Sequence, residues 1–203
     1  MPVSTVGIYW PARAETAEAC AARLGKCMRS IRQEFPDLAD WHKLEQVSRQ
    51  PISYDQDADL LKLLLKGRNK RDIGGEVMEE LGFRVNLWNG RGSSEAMSLG
   101  VGCGMFSKVA GLSNAMYLTL PKNREALSLE TDNALRNLLL VMVEAWSPDW
   151  GAVFDAKGEA IKDRQGNGPI MDNMLWLKNG LSLLAIERAH SKDVAFDGIL
   201  YAT

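Results

Sequence analysis

Histidine is nearly missing from this chain. Only His42 and His190 occur in 203 residues. They stand in unrelated contexts, so a histidine-rich metal cage or a histidine-centred triad has almost no material to use. Cysteine is scarce as well. Three is an odd number, and without a secretory leader it points to a reducing compartment rather than a disulfide framework. The start, MPVSTVGIYWPARAE, has no basic segment followed by a long apolar stretch. The longest purely apolar run, Leu138–Val143, is far too short to cross a bilayer. An excess of charge is lacking too: 24 Lys and Arg stand against 26 Asp and Glu, with a pI near 5.8. That balance gives no basic footprint of the kind a nucleic-acid binder carries. The expectation is a cytoplasmic protein with no membrane association, no direct nucleic-acid contact, no cofactor and no metal.

What is present is an apolar fraction of 46%, enough for one substantial core, so a single domain over residues 1–203 is expected. Val6–Trp10 is a short β-rich run ended by Pro11. Over residues 12–35, Ala17, Cys20, Leu24, Cys27 or Met28, Ile31 and Phe35 recur at steps of three and four, the period of an amphipathic helix that Pro36 closes. Asp37–His42 reads as one further turn carrying Trp41, and Pro51–Asp59 as an acidic loop. Leu60–Lys66 and Gly75–Leu81 read as short helices, the second capped by Gly82.

The period then shortens to two. Phe83, Val85 and Leu87 alternate with Arg84, Asn86 and Trp88, and Asn89-Gly90 is a strong hairpin signal. Met97, Leu99 and Val101 alternate on the return, and Met116, Leu118 and Leu120 repeat the pattern before Pro121. A long helix is predicted over Thr131–Trp146, with strands or hairpins at Trp150–Phe154 and Val194–Tyr201. Gly158 and Asp163–Pro169 mark a turn-rich, exposed stretch between them. Strands interrupted by helices, without regular βαβ alternation, predict an α+β fold with helices covering an antiparallel sheet.

Sites of chemistry are few. Cys20 and Cys27 lie seven apart on the apolar stripe of the first helix, a spacing that suits core packing better than zinc. Asp55, Asp57 and Asp59 imitate the start of a calcium loop, but Leu60 and Lys66 occupy the positions that require glycine and glutamate. The glycines around Cys103 (GVGCGMFS) could frame a nucleophile, though a thiolate needs a base or positive dipole that the sequence does not supply. A small enzyme using Cys103 therefore stays open as one alternative. A nucleic-acid-binding module using Lys66–Arg71 stays open as another, although that basic cluster lacks interleaved aromatics for base stacking.

The segment EAWSPDWGAVFD, Glu144–Asp155, is a corner. Pro148 drives Ser147 out of the helical region, so the helix must end near Trp146. Asp149 is expected to accept main-chain donors in the turn, and Trp150 to begin a strand. Both indoles would then clamp helix against sheet.

Taken together, several pieces resemble the immunity protein 52 family of bacterial polymorphic toxin systems. They are Trp10-Pro-Ala-Arg13, Cys20-Ala-Ala-Arg-Leu24, Phe35-Pro-Asp-Leu-Ala-Asp-Trp41, Arg71-Asp72, Leu81-Gly-Phe-Arg-Val-Asn-Leu-Trp-Asn-Gly90 (with Gly82 and Trp88), Asn114 with Pro121, and Ala145-Trp-Ser-Pro-Asp-Trp-Gly151. The series spans about residues 7–180, and the stretch after Trp176 matches less clearly. The positions Trp10, Arg13, Trp41, Asp72, Gly82, Trp88, Trp146, Pro148, Asp149 and Trp150 are of the kind that set a fold, and the resemblance brings no catalytic residues.

The resemblance implies a protein made beside a toxin and binding it to protect the producing cell or its siblings. The implied partner is a restriction-endonuclease-like nuclease encoded by a neighbouring gene and often delivered by type VI secretion. Such a toxin presents basic groups to phosphate. Acidic side chains are therefore expected to meet it, the candidates being Asp55, Asp57 and Asp59 together with Asp155, Glu159 and Asp163.

Overall fold

The computed structural model describes residues 4–43, 51–155, 169, 171–181 and 189–203. Glu159 and Asp163, with the turn-rich stretch expected around them, lie outside the described residues.

The β-rich N-terminal run forms β1 (Ser4–Trp10), and the three-and-four periodicity forms α1 (Ala17–Glu34). The helix starts later than the spacing alone predicts. Thr16 takes the N-cap, its hydroxyl accepting the Ala19 N–H at 3.2 Å, which leaves residues 12–15 as an irregular approach. A 3₁₀ turn (Pro36–Leu38) follows, and then the two-residue β2 (His42–Lys43). Trp41 is fully buried, its indole N–H donating to the Leu38 carbonyl at 2.9 Å.

Helix α2 (Asp57–Lys66) begins inside the stretch expected to be loop, because Asp57 and Asp59 suit the positive end of a helix. The helix expected at Gly75–Leu81 is replaced by a small hairpin. Met78 N–H donates to Asn69 O and Arg71 N–H to Glu76 O, each at 2.9 Å, around Gly74 and Gly75, which both hold positive φ. Two consecutive glycines in that region turn the chain back on itself instead of winding it. Only Glu79–Leu81 is helical, as one 3₁₀ turn capped by Gly82 at φ +61.

The alternating segments give β3 (Phe83–Trp88), β4 (Ser98–Cys103) and β5 (Asn114–Thr119). Asn89-Gly90 does not form a tight two-residue turn; it opens a longer connection to Ser98. Buried Asn89 spans that connection, donating to Glu95 O at 2.8 Å and accepting the Met97 N–H at 3.0 Å. The long helix is α3 (Asp132–Trp146), N-capped by Thr131. After it come β6 (Trp150–Asp155), β7 (Met174–Lys178), β8 (Ser191–Ala195) and β9 (Gly198–Ala202). Strand β7 escapes periodicity because both of its faces are buried, which erases the polar–apolar alternation.

Among the described residues, nine strands join one antiparallel sheet in the order β2-β3-β4-β5-β1-β6-β7-β9-β8. The fold is α+β. A main core fills the space between one sheet face and the helices, with Ile8, Leu24, Ile31, Leu64, Leu118 and Leu139 fully buried. A second apolar cluster lies on the other face over β6, β7 and β9, around Ala152, Leu175 and Leu177. Among the described residues no helix is long and apolar enough to cross a membrane.

Candidate functional site

The sheet has two ends, and most residues of the family resemblance, though not Trp41 and Trp88, gather at one of them. The ladder pairs Arg84 with Gly102, Gly102 with Ala115, Ala115 with Tyr9, Tyr9 with Trp150 and Trp150 with Leu177. Beyond that row lie the Trp10–Thr16 approach to α1, the 69–78 hairpin with Asp72, Gly82, the 104–113 loop, and the corner that holds Trp146, Pro148, Asp149 and Trp150. Trp88 sits at the opposite end beside His42, their ring centroids 5.9 Å apart.

At the corner, α3 ends at Trp146, as Pro148 requires, and Ser147 turns the chain at φ +47. Asp149 anchors the turn through its main chain rather than its carboxylate: its N–H donates to Tyr9 O at 2.9 Å, and its carbonyl accepts from Lys178 N–H at 3.0 Å. The two indoles part company instead of clamping one seam. Trp146 enters the main core and stacks on Trp10 at 5.0 Å, while Trp150 lies in the second cluster and stacks on Tyr9 at 4.1 Å.

A charge cluster that sequence patterns do not disclose closes the C-terminus of α3. Glu15, only 9% exposed at its side chain, holds Arg13 at 3.0 Å and Arg23 at 2.8 Å. Arg13 donates to Trp146 O at 3.1 Å and to Ser147 O at 3.4 Å, and Arg23 donates to Ala145 O at 3.2 Å. Two guanidinium groups thus meet carbonyls that the last helical turn leaves without partners, where the helix dipole favours cations. Arg13 also lies over the Trp10 ring at 5.3 Å. The carbonyls that Arg13 and Arg23 meet are more than a hundred positions away in the chain, so no local spacing rule could have found those contacts.

The acidic candidates divide. Asp55 pairs with Arg32 at 2.7 Å, Asp57 with Arg29 at 3.0 Å and Asp59 with Lys62 at 3.2 Å. The first two pairs clip the start of α2 onto α1. Asp155 contributes the last main-chain unit of β6, paired opposite Ser4.

Cys103 points away from solvent. It is fully buried, and contact with the Cys20 thiol followed by burial pushes its pKa strongly upward, the reverse of what a thiolate nucleophile needs. Cys20 and Cys27 are buried as well, as core packing predicts. Among the described residues no group of three or more His, Cys, Asp or Glu side chains is placed to hold a metal ion. The basic cluster is split between the last turn of α2 (Lys66), an arm that pairs with β3 (Arg68), and the 69–78 hairpin, where Arg71 stands 3.7 Å from Glu76.

A recess of about 340 Å³ opens at the N-terminus of α1, walled by Val77, Phe83 and Phe106 with Gly82 and Gly104 at its floor and Arg68 and Glu79 at its rim. A side chain at Gly82 would overlap the Cys103 carbonyl and the backbone after it, so the close approach of these two segments requires glycine.

A family model described as immunity protein 52 matches residues 4–177. No curated protein matches the chain. Among solved structures, the chain is similar to the Pseudomonas aeruginosa T6SS protein PA0821, at 12% identity and a TM-score of 0.48, with 98% of this chain and 68% of that one covered.

Proposed function

The chain belongs to the immunity protein 52 family, and from that membership we propose that it binds a cognate toxin and neutralises it by stoichiometric contact. The family match over residues 4–177 carries this reading. The inward-facing Cys103, whose thiol is held protonated, supports it by withdrawing the candidate nucleophile from any substrate. The molecule acts by occlusion and turns nothing over.

The toxin we propose is a restriction-endonuclease-like nuclease encoded by a neighbouring gene, reaching target cells by a contact-dependent route such as type VI secretion. It is met in the cytoplasm, where its nucleic-acid substrate lies. A nuclease acts catalytically, so a small free fraction is lethal, and protection demands nanomolar binding or tighter, about −12 kcal/mol. Interfaces that reach this typically bury about 1,600 Å² around a few aromatic or arginine anchors. The acidic candidates enter as steering groups that speed encounter with a basic toxin. Asp55, Asp57 and Asp59 keep part of their surface exposed beside their in-chain cations, and Asp155, Glu159 and Asp163 are the other candidates.

Co-expression with the neighbouring toxin tests the proposal. Cells survive only when this chain is present, and the two proteins purify as a stable complex. Survival that is unaffected by deleting the chain defeats it. Salt-sensitive DNA binding by the purified chain alone would favour the Lys66–Arg71 module instead.

A further inference from the structure

Exposed apolar side chains are distributed unevenly over this molecule. Ile73, 91% exposed, forms the tip of the 69–78 hairpin, and Val77 stands on its return arm. Phe106, Val109 and Leu112 project from the loop between β4 and β5. Leu181 follows β7, and Phe196 turns β8 into β9. Every one of these segments leaves the sheet at the end that holds the Trp146–Trp150 corner. At the opposite end, residues 89–97 and 120–131 carry no exposed large apolar side chain among the described residues.

Local preference does not explain the pattern. Gly74 and Gly75 turn the hairpin freely, with nothing near their α-carbons, and the residue they present is an isoleucine packed against almost nothing. Phe196 holds φ +56, a region where a bulky side chain is strained and glycine is not. Both positions give up local comfort to hold an apolar group in water. A grouped apolar surface of this kind marks an interaction site, whereas singly scattered residues would not.

Its dimensions suit a protein partner. Strand spacing of about 4.8 Å puts β3 and β9, six steps apart in the sheet order, about 29 Å from each other. A standard interface patch of about 800 Å² per partner has a similar width. The charges there are of both signs: Arg68, Lys70 and Lys108, and Asp72, Glu79 and Glu80, are exposed and form no ion pair among the described residues. A polyanion or an anionic lipid surface would be repelled by three of these six, while a protein of mixed surface charge can complement all of them. The recess between Val77, Phe83 and Phe106 is large enough to seat one apolar anchor from such a partner.

We propose that this end of the sheet, from the Ile73 hairpin to the Phe196 turn, is the face that takes the toxin, whose matching surface is apolar with a rim of mixed charge. The inference rests on the immunity reading above and adds which surface performs it.

The test uses the full chain and the toxin encoded beside it, disabled at its catalytic site, with Kd measured by calorimetry. Ile73→Asp and Val109→Asp are made separately, since both residues are too exposed to support the core. Lys122→Asp, exposed at the opposite end, is the control. The two apolar-end variants are expected to weaken binding about thirtyfold or more with unchanged melting temperature, and Lys122→Asp to leave it within about threefold. Tight binding by wild type and by both apolar-end variants overturns this assignment and leaves the immunity reading standing. Failure of the wild-type chain to bind overturns both. A free chain that is dimeric in solution, and that Ile73→Asp renders monomeric, gives the face to a second copy and also overturns the assignment.

Discussion

The indole of Trp10 stacks on that of Trp146, with ring centroids 5.0 Å apart and planes 25° from parallel, and so ties the last residue of β1 to the last residue of α3. Both rings are buried, and neither indole nitrogen meets an oxygen or nitrogen acceptor; the one on Trp146 faces the Cys27 thiol. Apolar area and ring contact therefore stabilise this joint. Trp10→Ala is expected to cost about 3–5 kcal/mol, and Trp10→Phe, which keeps a ring and removes an unbonded donor, about 1–2 kcal/mol. Urea unfolding midpoints compare the two. Equal losses would show that the indole N–H contributes stability.

Glu15 holds two guanidinium groups in place beneath the end of α3. Glu15→Gln leaves Arg13 and Arg23 adjacent without their shared carboxylate and loosens their grip on the Ala145, Trp146 and Ser147 carbonyls. Both arginines remain about one-third exposed at their side chains, so solvent screening limits the loss to about 1–2 kcal/mol. The loss is expected to appear as a lower midpoint in thermal unfolding.

Burial raises the Cys27 thiol from 9.0 to about 12. The unfolded chain therefore releases this proton at a lower pH than the folded one. Stability from the buried neutral thiol is complete below pH 9 and is lost as pH rises toward 12, by up to about 1.4 kcal/mol per pH unit. Unfolding midpoints measured between pH 8 and 11 should fall accordingly, and the fall should shrink in Cys27→Ala. At pH 8 a thiol reagent is expected to leave Cys20, Cys27 and Cys103 unlabelled until denaturant is added.

Much of the architecture was legible in the sequence because the main elements repeat at one clean period. The α1 stripe from Ala17 to Ile31, the alternation of β3 to β5, and the Pro148 stop to α3 each announced themselves locally. Strand β7 did not, since burial on both faces removes alternation. The Gly75–Leu81 helix failed because two positive-φ glycines outweighed the helix-favouring residues after them. The docking of Arg13 and Arg23 on the end of α3 and the common end shared by distant loops depend on tertiary packing and strand order, which no single segment encodes. Acidic residues could be found from sequence; that Asp55 and Asp57 already own arginines on α1 could not.

Gly82 provides a strict test of the close packing under the recess. Its φ of +61 and the overlap any β-carbon would make with the Cys103 carbonyl leave no room for substitution. Gly82→Ala is expected to destabilise the protein by about 2–3 kcal/mol or more. An unchanged melting temperature would mean that β3 and the segment after β4 lie farther apart than described.

Charge reversal separates encounter from grip. Changing Asp155, Glu159 and Asp163 to lysine shifts the net charge by six units, two at each position. Since Asp155 ends β6 away from the apolar face, the change acts through the long-range field and is expected to slow association with the toxin about tenfold at low salt, with dissociation unchanged. Stopped-flow association at two ionic strengths measures it. A change confined to dissociation would place these residues inside the contact.

Strand β1 is the first element of the chain and the fifth of nine in the sheet, flanked by β5 and β6. During synthesis it must wait for Asn114–Thr119 and then Trp150–Asp155 before both edges are satisfied. At bacterial ribosome speeds the wait for the first neighbour is on the order of ten seconds. A shield with this connectivity is useless while half made, so a cell is safe only if its supply of finished copies is in place before the poison is.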